Sequence, residues 1–147
     1  MIEIRKSQET PTSVEKVWQL IGDLEHEQKY WTVLRNVKIL SKKDGFTVER
    51  EATIRRGPMG DAKSVQRLSL DPVKKTSTLT LTKGPLLGSR KISLFSMDDG
   101  KKTKIDVSWQ FELKGIPGFA QGFVKDNISE ETEKALTTIS DEAKSGK

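Results

Sequence analysis

At 147 residues the chain has the size of one ordinary domain, able to bury roughly two-thirds of the surface its unfolded form exposes. Hydrophobic residues make up 33% and charged residues 32%, a globular composition with no apolar run long enough to span a membrane. The absence of cysteine excludes disulfides, thiol nucleophiles and cysteine-ligated metals, and the net charge of +5 favours anionic partners.

The first segment, "IEIRKSQE", alternates as a strand does and lacks the apolar core of a signal peptide, so a cytoplasmic protein is expected. "TPTSVEKVWQLIGD" opens as a helix: Thr12 or Ser13 can cap it, and Val14, Val17, Trp18 and Ile21 recur on one face. Gly22-Asp23 interrupts it, and "LEHEQKYW" reads as a second short helix. From there to residue 113 the chain reads as six strands separated by turn signals. In "FTVEREATIRR", Phe46, Val48, Arg50, Ala52 and Ile54 share one face; in "TKIDVSWQFEL", Ile105, Val107, Trp109, Phe111 and Leu113 do. "STLTLTK" repeats the pattern with Leu79 and Leu81. In "AKSVQRLSL", Val65 and Leu68 have opposite parity, which predicts a bulge. A long amphipathic helix closes the chain, with Phe119, Phe123, Val124, Ile128, Ala135, Leu136 and Ile139 near one stripe. No repeat, linker or low-complexity tract divides it, so residues 1–147 are expected to form one domain. A curved sheet closed by a single helix encloses space that side chains or a ligand must fill.

The opening "SQETPTSVEKVWQLIGDLEHEQKYW", through Pro11, Val17, Trp18, Asp23, Leu24, Glu25 and Trp31, resembles the start of the START-related helix-grip superfamily. That superfamily takes in polyketide cyclase/dehydrase-like, coenzyme-Q-binding and birch-pollen-allergen-type proteins and lipid-transfer START domains. The resemblance implies an α+β helix-grip fold: a curved antiparallel sheet of about seven strands, in the order β-α-α-β6-α, wrapped around the C-terminal helix. It also implies a hydrophobic cavity between sheet and helix. Aromatase/cyclase members would need polar side chains in that cavity, whereas the inward positions here read as mostly aliphatic or aromatic.

The inventory for catalysis is thin. His26 is the one histidine, set between Glu25 and Glu27 with no nucleophile placed beside it, and no metal-ligand spacing or phosphate loop is present. No catalytic residue, metal or cofactor is therefore expected. Arg50 falls on a dry face, where a cation needs a protein carboxylate, a ligand carboxylate or a ligand phosphate as partner. The protein salt bridge is the favoured of the three. The wet face carries threonine, serine, glutamate and lysine without an aromatic stripe, a poor platform for nucleic acid. Candidate cavity residues are Val48, Arg50, Ala52, Ile54, Leu79, Leu81, Val107, Trp109, Phe111, Phe123 and Ile128.

In a meander, alternate connections lie at the same end of the sheet. "SKKDG", "DPVKK" and "DDGKK" are tight polar turns at one end. "RRGPMGD", "KGPLLGS" and "KGIPGF" fall at the other, each pairing glycine and proline with an apolar tip and a cation. The tips are Met59, Leu86, Leu87, Ile116 and Phe119; the cations are Arg55, Arg56, Lys83, Arg90 and Lys114. Such loops either plug the end of the core or form a ligand portal, and the ring of cations favours a portal in transient contact with an anionic membrane surface. Three functions follow in order of preference. The first is a non-enzymatic carrier or sensor of a hydrophobic small molecule (a lipid, isoprenoid or quinone-like compound). The second is a polyketide cyclase/dehydratase-like enzyme, and the third a protein-interaction module without a true cavity.

Overall fold

The computed structural model describes residues 1–24, 27–32, 34–43, 46–55 and 60–145. Strand β1 (Ile2–Thr10) leads into helix α1 (Val14–Gly22), whose N-terminus is capped by the Ser13 hydroxyl accepting from the Lys16 amide at 3.4 Å. Helix α2 (Glu27–Tyr30) is only one turn long. Six strands follow: β2 (Leu34–Lys43), β3 (Thr47–Arg55), β4 (Asp61–Asp71), β5 (Thr76–Lys83), β6 (Leu86–Met97) and β7 (Lys102–Leu113). Helix α3 (Gly118–Lys144) ends the chain. All strands join one antiparallel sheet in the order β1-β7-β6-β5-β4-β3-β2, so the first strand is zipped to the last and a curved sheet faces the long helix. This is the expected α+β helix-grip architecture.

Period-two patterning explains most of the burial. On β7 every inward residue from Thr103 to Phe111 is buried, and on β3 Val48, Arg50 and Ala52 are. Phe46 is the exception on its face: it sits in the turn before β3 and is exposed. The parity break in β4 has a different cause from the one expected. Ser64, Gln66 and Leu68 are all buried, so β4 alternates without interruption and two polar residues occupy inward places. The register slip at Val65/Gln66 lies in the pairing with β5, where Val65 faces Lys83 and Gln66 faces Leu81. The extra residue is Thr82, whose hydroxyl donates to the Val65 carbonyl at 3.1 Å.

The turn after β5 is also tighter than its sequence suggests. Leu86 and Leu87 belong to β6, paired with Leu113 and Glu112, and only Gly84-Pro85 turns the corner. Lys114 donates its amide to the Pro85 carbonyl at 2.8 Å, tying this turn to the connection between β7 and α3. Two residues on, β6 passes so close to β7 that a Cβ on Gly88 (φ +151°) would lie 2.0 Å from the Gln110 carbonyl oxygen.

Helix α3 divides into two halves. Thr132, Ala135, Leu136, Ile139, Ser140 and Ala143 are buried in the second half, and the helix packs against β1, α1, α2 and β7. The first half carries no fully buried residue, and Phe119 and Phe123 are 91% and 49% exposed. No described helix is long and apolar enough to cross a membrane.

Candidate functional site

Between the concave face of the sheet and the first half of α3 lies a cavity of about 90 Å³, room for the centres of several water molecules at roughly 10–15 Å³ each. Its lining is mostly apolar. Leu34, Ile54, Leu79, Leu81 and Trp109 come from the sheet, Trp31 from the segment after α2, and Val124 and Ile128 from α3. Leu86, Leu113 and Ile116 extend it toward the end of the sheet where the β5–β6 turn and the β7–α3 connection meet.

Of the expected cavity residues, Arg50, Ile54, Leu79, Leu81, Trp109 and Ile128 line this space. Val48, Ala52, Val107 and Phe111 share the dry face but lie in the packed core away from it. Phe123 points off the stripe into solvent, because the turn of α3 that it occupies presents Val124, Asn127 and Ile128 to the cavity instead. Among the expected tips, Leu86 and Ile116 line the cavity, whereas Leu87 faces outward on β6 and Phe119 stands free on the first turn of α3. Arg56, Met59 and His26 lie outside the described residues, as does the side chain of Arg55.

The most polar part of the lining was not legible as such. Arg50 is 1% exposed and forms a two-pronged pair with Glu27 at the start of α2: Nη1 donates to Oε1, and Nη2 donates to Oε2 at 3.0 Å. Its Nε donates to Gln66 Oε1 at 3.0 Å, and Gln66 Nε2 donates to Ser64 Oγ at 3.3 Å. The partner expected for this buried cation is thus a protein carboxylate. Arg90 corrects a different expectation. It is no rim cation but a residue of mid-β6, 4% exposed, turned inward beside Arg50. Its Nη2 lies 3.5 Å from Glu27 Oε2, and its guanidinium carbon lies 4.4 Å from the centroid of Trp31 and 5.7 Å from that of Trp109. Among the described residues its Nε has no hydrogen-bond partner.

The aromatic pair is itself held firmly. Trp31 and Trp109 meet edge to face with centroids 6.1 Å apart, and Trp109 Nε1 donates to Thr132 Oγ1 at 3.0 Å. Thr132 in turn donates to the Ile128 carbonyl at 2.7 Å, so the anchor of the indole is the junction between the two halves of α3. Glu131, one residue before, also lines the cavity; it accepts from Thr32 Oγ1 at 2.7 Å and lies 3.9 Å from the Lys134 ammonium.

Electrostatics follow from this crowding. Burial alone would raise the Glu27 carboxyl, but the hydrogen bonds and charge of Arg50, with those of Arg90 behind, hold it below the ordinary carboxylate value. Arg90 moves the other way: burial lowers its pKa to about 10, with Glu27 supporting the charge and Arg50 opposing it. Arginine keeps its proton at neutral pH, so two cations surround a single described carboxylate. Such a group of fixed donors in an apolar shell can hold an anion or polarise a carbonyl oxygen. Among the described residues no three histidine, aspartate or glutamate side chains gather as a metal site would need.

A family model described as polyketide cyclase / dehydrase and lipid transport matches residues 1–143. A search of curated proteins finds no match. Among solved structures, a protein of Thermus thermophilus superposes with a TM-score of 0.81 at 16% identity, over 99% of both chains. The Zhui aromatase/cyclase of a Streptomyces species gives 0.80 at 12% identity, over 97% of this chain and 93% of its own. A START superfamily protein of Mycobacterium smegmatis gives 0.72 at 16% identity, over 91% and 93%. At these identities the superpositions speak for the fold alone.

Proposed function

From the premise that the chain belongs to the polyketide cyclase/dehydrase and lipid transport family, we propose that it binds a hydrophobic small molecule between sheet and α3, as a carrier or sensor. The observation that carries the proposal is the cavity itself: about 90 Å³ of space walled mostly by aliphatic and aromatic side chains, where protein interiors are ordinarily close-packed. A core evolved only to pack would place side chains there, because unfilled volume costs dispersion contacts. The test is titration with an apolar fluorescent probe, which should bind at one site per chain. Ile128→Trp keeps the helix and fills the space, and should abolish binding while the melting temperature holds. Retained binding in that variant would place the probe elsewhere.

Arg90, which lines the cavity beside the hydrogen-bonded group of Arg50, Glu27, Gln66 and Ser64, supports a second reading, a cyclase/dehydratase-like enzyme in which its guanidinium stabilises developing negative charge. Turnover of a supplied polyketide-like chain would favour it over carriage. The carrier reading extends to transient contact with an anionic membrane. On α3 beside the end of the cavity Phe119 stands in solvent and Phe123 is half exposed, with Lys83, Lys114 and Lys125 exposed at the same end of the fold.

A further inference from the structure

Arg90 is buried without being used up. Glu27 gives its two oxygens to the fork of Arg50, and its contact with Arg90 at 3.5 Å is longer than a well-made charge-assisted hydrogen bond. The guanidinium carbon of Arg90 lies over the Trp31 ring at 4.4 Å, a contact that supports the charge but accepts none of its N–H hydrogens in a conventional hydrogen bond. The Arg90 Nε has no partner among the described residues. A donor in this state costs stability for as long as it stays unmet, and desolvation of the whole side chain adds to the cost. The neighbouring void between Arg90, Ser77, Tyr30 and Glu27 is about 10 Å³, enough for at most one water and for no ligand. The larger cavity, which Arg90 also lines, is the one that can admit an organic acceptor.

We infer that Arg90 is the head-group site of the cavity and that the ligand is an amphiphile ending in a singly charged oxyanion, a carboxylate in the simplest case. The charge balance selects this class. Arg50 and Arg90 together exceed Glu27, which lies behind them, by one positive charge, while Glu131, the carboxylate of the cavity lining, is already engaged by Thr32 and Lys134. A monoanion neutralises the excess; a phosphate dianion would leave a buried negative charge without a partner. Arg50 is the less available of the two, because three of its five N–H groups, one on each nitrogen, already donate to Glu27 and Gln66. The inference rests on the cavity being a ligand site and names what that site selects.

The experiment compares octanoate, 1-octanol and octyl phosphate by calorimetric titration of the intact protein at neutral pH. Octanoate should bind about tenfold or more tighter than either of the others. Arg90→Met should remove that preference and leave the affinity for octanol where it was. Because a buried substitution can unsettle the fold, a second readout needs no variant that must bind. The Arg90 Nε–H resonance, assigned from its loss in Arg90→Lys, should shift with octanoate and stay still with octanol. Equal binding of octanoate and octanol, or an unmoved Nε–H signal, overturns the head-group site but leaves the cavity reading intact. Tighter binding of octyl phosphate overturns the monoanion assignment. Failure of all three to bind overturns the cavity reading and the inference together.

Discussion

Two guanidinium groups around one carboxylate make the three residues unequal in what they contribute. Removing Glu27 would leave both arginines buried without an anion, a change that typically costs about 3–5 kcal/mol. Removing Arg90 leaves Glu27 still gripped by the fork of Arg50. The desolvation that lowers Arg90 to about 10 is then relieved at the expense of its contact with Trp31. Urea unfolding at neutral pH should therefore show Glu27→Ala destabilised by about 3–5 kcal/mol, with Arg90→Met within about 1 kcal/mol of the parent protein. A large loss in Arg90→Met would instead make Arg90 a structural cation. The pH dependence has a fixed sign. Glu27 is held below its ordinary value of 4.5, so its contribution is complete above that pH and is lost as pH falls through the lower folded value. The stabilities of the parent and of Glu27→Gln should converge in that acid range. Arg50 was legible in the sequence because four apolar neighbours on alternate positions gave its face away. Arg90 was not. It stands two residues beyond Gly88 in a stretch that reads as turn, and nothing local marks its contacts with Glu27 and Trp31, which lie far along the chain.

Among the elements, β6 and α3 depart furthest from their sequence patterns, and for related reasons. The pair Leu86-Leu87 reads as a turn tip because Gly84 and Gly88 bracket it, yet Gly88 serves a close strand crossing rather than a turn. Strand geometry then sends the two leucines to opposite faces: Leu86 lines the cavity and packs against the core, while Leu87 stays on the outer face. Their serine variants should consequently differ. Leu86→Ser is expected to lower stability by about 1–3 kcal/mol and weaken probe binding, with Leu87→Ser within about 0.5 kcal/mol of the parent. Thermal melts and probe titration of the two single variants check this, and similar losses in both would return the pair to a shared plug. In α3 the 3.6-residue stripe locates the buried half well, from Thr132 onward, but overextends it to Phe119 and Phe123. A stripe says which residues could face a partner. Where the partner surface ends depends on how the sheet curves, and the cavity lies at that margin. The same limit explains Val48, Ala52, Val107 and Phe111, correctly apolar and inward but beyond the reach of the space that α3 leaves open. Ser64 and Gln66 were hidden by a related effect, since inward polar residues erase the alternation that would announce a strand.

At the scale of the whole molecule, apolar and basic side chains at one end of the sheet can be weighed as a membrane contact. With Arg90 turned inward and Leu86 in the cavity, the described residues exposed there include Phe119, Phe123, Lys83, Lys114 and Lys125, with Asp61 and Asp126 among the acidic ones at the same end. Burying a phenylalanine in the acyl boundary gains roughly 1.5–3 kcal/mol, and each lysine near an anionic surface adds about 1 kcal/mol. The acidic pair offsets part of the latter. The sum is enough for weak, reversible binding and too little for an anchor, which suits a carrier that has to leave again. It would also bring the Leu86–Ile116 end of the cavity against the bilayer, so that an amphiphile could pass between them with little exposure to water. The protein should therefore cosediment with vesicles containing phosphatidylserine, and not with phosphatidylcholine alone. Binding should fall steeply as salt shortens the Debye length toward about 3 Å near 1 M. Phe119→Ser combined with Phe123→Ser should abolish it with little change in melting temperature, because Phe119 stands in solvent and Phe123 is already half exposed. Undiminished binding in that double variant would move the contact to another face, and no binding by the parent protein would leave the two phenylalanines without a membrane role.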